Sequence, residues 1–385
     1  MVPDTDSFSS LVSHVREAAT RGTVLRIRGG GSKDFYGESP QGETLEVGHL
    51  TGIVSYEPSE LVVTVRAGTP LAELEAVLAQ QGQCLPFEPP RFAGATVGGM
   101  VASGLAGPSR ASAGGVRDYM LGIVMLNGKA EVLTFGGQVM KNVAGYDLSR
   151  LMAGSMGTLG VLLEVSLKVL PVAPGEATLM CAGLPQQQAL DLLNRWGGQP
   201  LPLNASCWVR DTAASPPDDY LFVRLRGAVA AIEAACPRMV ANVQAAGGKA
   251  VRMDNAQAAQ DWTACREQSL PFFAEAPDSQ SCLWRLSVPQ TAPALDLPWP
   301  QFIEWHGGLR WLWAPLSSAS LLRERAAAAG GHASVFRRGP NCGVMNDVPA
   351  FTPLPAVQQR IQSELQRQFD PAGVFRTGRL QPALG

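Results

Sequence analysis

The chain has 385 residues and a net charge of −2 from 31 basic and 33 acidic side chains, so no global field draws it to nucleic acid. Hydrophobic residues make up 46% and charged residues 17%, which excludes disorder, and the length predicts two domains that need no disulfide or metal staple. Glycine (41) and proline (29) are in excess without a triplet period, so the surplus belongs to turns, close backbone approaches or a ligand held by bare main chain.

The N-terminus, Met1-Val2-Pro3-Asp4, lacks the basic and apolar regions of a signal peptide, and no apolar run reaches the ~20 residues of a membrane span. Phe8–Ala19 reads as a helix, Thr23–Arg28 as a strand, and Gly29-Gly30-Gly31-Ser32 as the turn after it. Leu61–Ala67 is a β-branched strand, and Pro70–Gln81 a helix with Leu71, Leu74 and Leu78 on one face. Tyr119–Leu126 and Ala130–Phe135 form a hairpin through Asn127-Gly128. Asp147 caps a short helix, Leu148–Ala153, and Val161–Val169 is a strand. Pro171–Glu176 is the natural linker, because all eight Trp follow it while four of the five Lys precede it.

Beyond the linker the theme is strand–helix–strand: Thr178–Ala182, Gln186–Trp196, Ser206–Arg210, Tyr220–Arg226 and the long helix Val229–Ala246. Cys282–Val288, Arg310–Ala314 and Ala333–Arg337 are further strands, and Leu321–Ala329 a helix. The last helix, Pro355–Phe369, carries Val357, Ile361, Leu365 and Phe369 on one stripe, a docking or core-packing face. Seven cysteines without short paired spacing fit a reducing compartment and form no zinc pattern. These features predict a soluble cytosolic protein able to dock on something larger.

Three glycine-rich segments carry the chemistry. Arg28-Gly29-Gly30-Gly31-Ser32 follows a strand, where consecutive glycines can turn their N–H groups toward an anion or simply form a β-turn. It is not a dinucleotide fingerprint, since Asp34 stands where the third glycine belongs, and Gly128-Lys129-Ala130 is not a Walker A end. Gly94 to Gly107 is a small-residue run, and Arg110, Arg117 and Asp118 are the only charges between residues 94 and 128. Its main chain is pressed against a diphosphate and flat ring, or crosses tightly packed elements. The third segment joins Lys141-Asn142-Val143-Ala144-Gly145-Tyr146-Asp147-Leu148 to Gly154-Ser155-Met156-Gly157-Thr158-Leu159-Gly160-Val161.

In that order, RGGGS, PFEPP, ATVGGMVASGLAG, GGVRDYMLG, KNVAGYDL and GTLGV resemble the FAD-binding domain of the vanillyl-alcohol oxidase (p-cresol methylhydroxylase, PCMH) family. KNVAGYDL with a short cap is most similar to the E subunits of bacterial glycolate oxidases. The resemblance implies an α+β fold: a two-subdomain PCMH-type FAD-binding domain over 1–172 and an α+β cap with an antiparallel sheet over 177–345. The cap would serve substrate or subunit contacts, and a C-terminal helix and tail, 354–385, would return to the FAD domain. It also implies that Gly29, Gly30, Gly31 and Ser32 hold the FAD pyrophosphate from one side, and Gly94, Ala95, Thr96, Gly98 and Gly99 from the other. Ala102, Ser103 and Gly104 would lie beside the flavin, and Gly157, Thr158, Leu159, Gly160 and Val161 would line the adenine–ribose end. Some relatives bond FAD through a histidine in the first loop or a cysteine in the later one. Neither stands in Gly30-Gly31-Ser32 or Ser103-Gly104-Leu105, so the FAD is expected to be non-covalent.

The function implied is that of an FAD subunit oxidising a small 2-hydroxy acid, glycolate, to glyoxylate. It would act beside a second flavin subunit and an iron–sulfur subunit, in the cytoplasm or peripherally at the inner membrane through the complex. A stand-alone FAD dehydrogenase of a D-2-hydroxy acid such as lactate, and a non-catalytic structural subunit, are the alternatives. Oxidation of a 2-hydroxy acid needs a base for the hydroxyl proton and a cation for the carboxylate. His332 with Arg337 is the candidate pair, set against satisfied surface residues, and alternation along a strand puts Arg337 on the face of Ala333. The four histidines form no paired motif, so no metal is expected. The turn Phe375-Arg376-Thr377-Gly378 departs from the Phe-Asn-Pro-Gly common in relatives, which leaves its flavin-facing role open.

Overall fold

The computed structural model describes residues 8–137, 147–211, 218–274, 276–342 and 348–381. Most of the KNVAGYDL motif lies outside them. The chain forms two compact units: Met1–Ala106 with Gly115–Pro171 and Pro353–Gly385, and Gly107–Gly114 with Val172–Thr352.

In the first unit a five-stranded antiparallel sheet runs in the order Ile53–Glu57, Val62–Arg66, Val161–Lys168, Met120–Leu126, Val132–Gly136. Both faces are covered. Leu162, Val165 and Leu167 pack with Leu71, Leu74 and Leu78 of the helix Leu71–Gln80, while Val161 and Leu163 pack with Phe8, Leu11 and Val15 of the N-terminal helix region. That two-sided burial explains the near-continuous apolar run of the central strand. A parallel pair, Leu25–Arg28 with Glu43–Glu46, joins the second of these cores through Leu25 and Leu45. Val374 and Phe375 of the C-terminal tail are buried in the same core, and the Leu25 N–H donates to the Val374 carbonyl at 2.7 Å.

Two local expectations change in detail. The hairpin forms, with Leu126 opposite Val132, but its loop is longer than two residues. Ala130 takes the left-handed conformation (φ 60°), and the Asn127 side chain accepts the N–H groups of Lys129 and Glu131. Gly128 is required for space instead, because a Cβ there would overlap the Asp370 carboxylate. In the last helix, Ala356–Phe369, only Phe369 is buried, while Val357 and Ile361 are exposed.

The second unit is built on an eight-stranded antiparallel sheet. Its order is Lys249–Arg252, Gly175–Ala182, Asp218–Gly227, Leu203–Asp211, Gln301–Glu304, Leu309–Pro315, Ser281–Ser287, His332–Arg337. One face carries the helices Gln186–Gly197, Val229–Ala245 and Ala319–Ala328 over Leu179, Val223, Trp284 and Leu312. On the other face, Phe302, Trp311, Phe273 and Phe336 form a chain of edge-to-face rings. Within this unit the sulfurs of Cys282 and Cys342, sixty residues apart in sequence, are brought together. Among the described residues no helix is long and apolar enough to cross a membrane.

Candidate functional site

The strand Leu25–Arg28 ends at a cleft of about 950 Å³ in the first unit. Its floor is the triple-glycine loop. Gly31 sits at φ 70°, and its carbonyl accepts the Asp34 N–H, so the loop curls back on itself. A Cβ on Gly30 would overlap the Gly94 carbonyl oxygen, and one on Gly29 would reach 2.6 Å from the Thr96 hydroxyl. The two glycine segments, more than sixty residues apart in sequence, therefore touch through bare backbone. Among the described residues no acceptor takes the N–H of Gly30, Gly31, Ser32 or Gly157. Unclaimed donors at the edge of a cleft make an anion nest.

The second wall differs from the loop expected. Residues Val97–Ser103 form a helix despite two glycines, capped by Thr96, whose side-chain oxygen accepts the Gly99 N–H at 3.2 Å. The Val97 N–H goes to the Thr69 carbonyl, and that of Gly98 to Ala67 at 2.7 Å. The N-terminal donors of this helix are thus consumed inside the protein, and the segment serves the cleft by offering no side-chain bulk. The 154–157 turn docks on its far end, with Gly154 and Met156 N–H groups bonded to the carbonyls of Val101 and Ala102.

Of the expected residues, Gly29, Gly30, Gly31, Ser32, Thr96, Gly99, Ala102, Ser103 and Gly157 line this cleft, and Gly98 and Gly160 line an adjoining hollow of about 500 Å³. Six others stand behind these walls. Gly94 backs Gly30, Gly104 ends the helix in the left-handed conformation (φ 63°), and Ala95 and Leu159 are core residues. The Thr158 hydroxyl is bonded to Ser155, and Val161 starts the central strand. The lining not foreseen is cationic: Arg26, Arg28, Lys33 and Arg379, with Asp34 as its one acid. Arg28 pairs with Asp34 at 2.9 Å, which holds its pKa up, and Arg379 donates to the carbonyls of Lys33 and Tyr36. Thr377, in the turn that departs from the common pattern, also lines the cleft.

Residues 6–136 match the family described as an FAD binding domain. Over 385 residues, the whole of both chains, the protein is 42% identical to the glycolate oxidase subunit GlcE of Escherichia coli (strain K12). The chain belongs to the GlcE family. The glycolate oxidase subunit GlcD of Bacillus subtilis (strain 168) is 30% identical over 155 residues, 40% of this chain and 33% of that one. A D-2-hydroxyglutarate dehydrogenase of Xanthomonas citri pv. viticola is 27% identical over 245 residues, 63% of this chain and 50% of its own. Among solved structures, an alkyldihydroxyacetonephosphate synthase has the same fold, with a TM-score of 0.68 at 13% identity over 95% of this chain and 74% of that one. The cofactor of this GlcE-family chain is FAD. The cleft fits it, with unclaimed N–H donors and cations for the diphosphate and small residues beside them for a flat ring.

The second unit of this GlcE-family protein holds the histidines of interest. His332 and Arg337 do not form a pair. They begin and end one strand, roughly 16 Å apart at ~3.3 Å per residue. A bulge at Phe336 sets Arg337 opposite Leu283, on the face of His332 rather than of Ala333 as alternation predicts, and Arg337 donates to the Phe273 carbonyl and to Gln268. The cation whose charge acts on His332 is Arg285 of the neighbouring strand. Burial, then the Arg285 charge, lowers the His332 pKa.

His306, which the sequence shows only as an isolated residue, is buried in a left-handed run with Trp305 and Gly307 (φ 53°, 55° and 99°). Ser206 Oγ accepts the His306 backbone N–H at 3.0 Å and lies 2.9 Å from Nδ1. Nε2 lies 3.0 Å from Ser112 Oγ, so both ring nitrogens of the neutral imidazole have a hydroxyl partner, one donating and the other accepting. Burial pushes the imidazole pKa down to about 4. A base depressed in the fold binds fewer protons than the unfolded chain, so stability is lost as pH falls from 6.5 through about 4, by about 3 kcal/mol in all. Urea midpoints of the second unit at pH 7 and pH 4.5 should fall less for His306→Gln than for the wild type. Parallel pH profiles would remove His306 as the cause.

Proposed function

We propose that this chain is the FAD-binding subunit of a glycolate (2-hydroxy acid) oxidase, working with a second flavin subunit and an iron–sulfur subunit. The observation that carries the reading is the cleft with unclaimed N–H groups of Gly30, Gly31, Ser32 and Gly157 in a chain matching a glycolate oxidase subunit from end to end. Those donors, with Arg26, Arg28 and Lys33, hold the diphosphate. Ala102 and Ser103 face the flavin without crowding it, and Thr377 and Arg379 close the cleft from the C-terminal tail. The chemistry FAD supplies when bound is two-electron oxidation of an alcohol carbon. The protein's part is to hold the diphosphate in a nest and keep the ring's surroundings small. No His, Cys or Tyr stands among the described residues lining the cleft or the adjoining hollow, which supports a non-covalent flavin.

The test is a visible spectrum of the purified chain, followed by glycolate without oxygen, alone and with the partner subunits. Flavin absorbance near one equivalent is expected, and acid precipitation should release it to the supernatant. A colourless protein overturns the reading, and yellow colour in the pellet overturns the non-covalent part. Bleaching by glycolate alone assigns turnover to this subunit, whereas bleaching only with the partners assigns it electron transfer.

A further inference from the structure

The second unit holds a cation packed on indole rings whose hydrogen bonds are unspent among the described residues. Arg285 lies on Ser281–Ser287, the strand next to the edge of the eight-stranded sheet, opposite Trp311 on one neighbouring strand and Ser334 on the other. It is half-buried, and its guanidinium carbon sits 5.3 Å from the ring centroid of Trp305 and 6.0 Å from that of Trp311. Both indoles are buried and fixed by their own N–H groups, Trp305 on the Gly107 carbonyl at 2.9 Å and Trp311 on Glu304 at 2.7 Å. Among the described residues, no carboxylate or carbonyl accepts a hydrogen bond from Arg285. That separates it from Arg310, Arg337 and Arg338, whose guanidiniums are bonded to backbone carbonyls.

Contact with aromatic rings engages a guanidinium through its charge and leaves the in-plane N–H fork available. Such a fork matches a carboxylate with two parallel hydrogen bonds. The surroundings add to this. Arg110 also lies 4.9 Å from the Trp305 ring, so two guanidiniums share one indole. His332 stands on the same sheet face, opposite Ser287 and two pairs along from Ser334. The neighbourhood is positive, partly desolvated and rigid, and an anion seated there would relieve the crowding of like charge.

We propose that Arg285 is the carboxylate receptor of this chain, binding a small 2-hydroxy acid through its guanidinium fork with His332 beside the hydroxyl-bearing end. The assignment rests on the reading of the chain as a 2-hydroxy-acid oxidase subunit and supplies the residue that recognises the acid. It replaces Arg337 as the cation that works with His332.

The experiment uses the full flavin-containing chain and oxalate, an unreactive carboxylate of the same size as glycolate, titrated by calorimetry and by tryptophan emission. Oxalate should bind, and 1,2-ethanediol, which lacks a carboxylate, should not. Arg285→Gln should weaken oxalate binding by about 10- to 100-fold, the range of a lost charge-assisted pair. Arg285→Lys keeps the charge and the stem over the indoles, and should fall between the two while retaining the wild-type melting midpoint. Wild-type affinity in Arg285→Gln, or equal binding of sulfate, overturns the proposal. Failure of the underlying reading looks different. If glycolate never bleaches the flavin, with or without the partner subunits, yet oxalate binding still depends on Arg285, the anion site stands and its link to 2-hydroxy-acid oxidation is overturned.

Discussion

Gly30→Ala is expected to weaken flavin binding by about 5- to 150-fold relative to the wild type, because overpacking at that one atom costs on the order of 1–3 kcal/mol and is relieved only by moving the nest. The added Cβ would overlap the Gly94 carbonyl oxygen, which belongs to main chain and cannot rotate away. The 29–31 loop and the 94–96 segment must then part, and the N–H groups of Gly30, Gly31 and Ser32 shift with the loop. Gly30→Asp adds a carboxylate to the same place and should lower flavin content further. Gly48→Ala is the matched control, since its Cβ would meet the Gly29 carbonyl oxygen at an ordinary 3.8 Å. It should keep wild-type flavin. The ratio of visible to ultraviolet absorbance after desalting reads all three variants. Stoichiometric flavin in Gly30→Ala would mean that the cofactor lies elsewhere.

Glycine loops were legible because a phosphate nest demands a residue type, and residue types are what a sequence displays. The helix Val97–Ser103 was hidden for the same reason. Two glycines argue against a helix, and what outweighs them is the Thr96 cap together with carbonyls of Ala67 and Thr69, which only the fold supplies. Strands with β-branched runs and helices with apolar stripes fall within about three residues of their expected ends. The short strands Glu43–Glu46 and Gln301–Glu304 escaped notice, since four residues with polar ends show little periodicity. The cleft's cations come from one strand's end and from a tail more than 340 residues away, so spacing could not unite Arg28 with Arg379. His332 stood out in the sequence as a candidate base, but its neighbouring cation required strand order and register. A bulge at Phe336 and the antiparallel pairing of Ser281–Ser287 with His332–Arg337 decide that question, and neither is written locally.

Arg310→Met should destabilise the second unit by about 3–4 kcal/mol, near the upper end for a single substitution, while leaving flavin in the first. Arg310 has no exposed surface, and it donates to three carbonyls: Gly307 at 3.2 Å, Pro293 at 2.7 Å and Ala292 at 2.8 Å. Its partners are neutral, so burial wins and its pKa falls to about 10, leaving it charged at pH 7. Met conserves much of the volume but donates nothing, so buried carbonyls are stranded and each costs on the order of 1–3 kcal/mol before relaxation. One of these carbonyls ends the left-handed run Trp305–Gly307, in which two non-glycine residues are each strained by about 1–3 kcal/mol. Release of that run should alter the Trp305 environment as well as the midpoint. Arg310→Lys can reach one or two of the carbonyls with a single ammonium and should lose about half as much as Met. Urea unfolding followed by tryptophan emission, with flavin absorbance recorded in parallel, separates the two units. A midpoint shift equivalent to less than about 1 kcal/mol for Met would show that water or backbone relaxation satisfies those carbonyls, and that the strained turn is held by His306 and Trp305 alone.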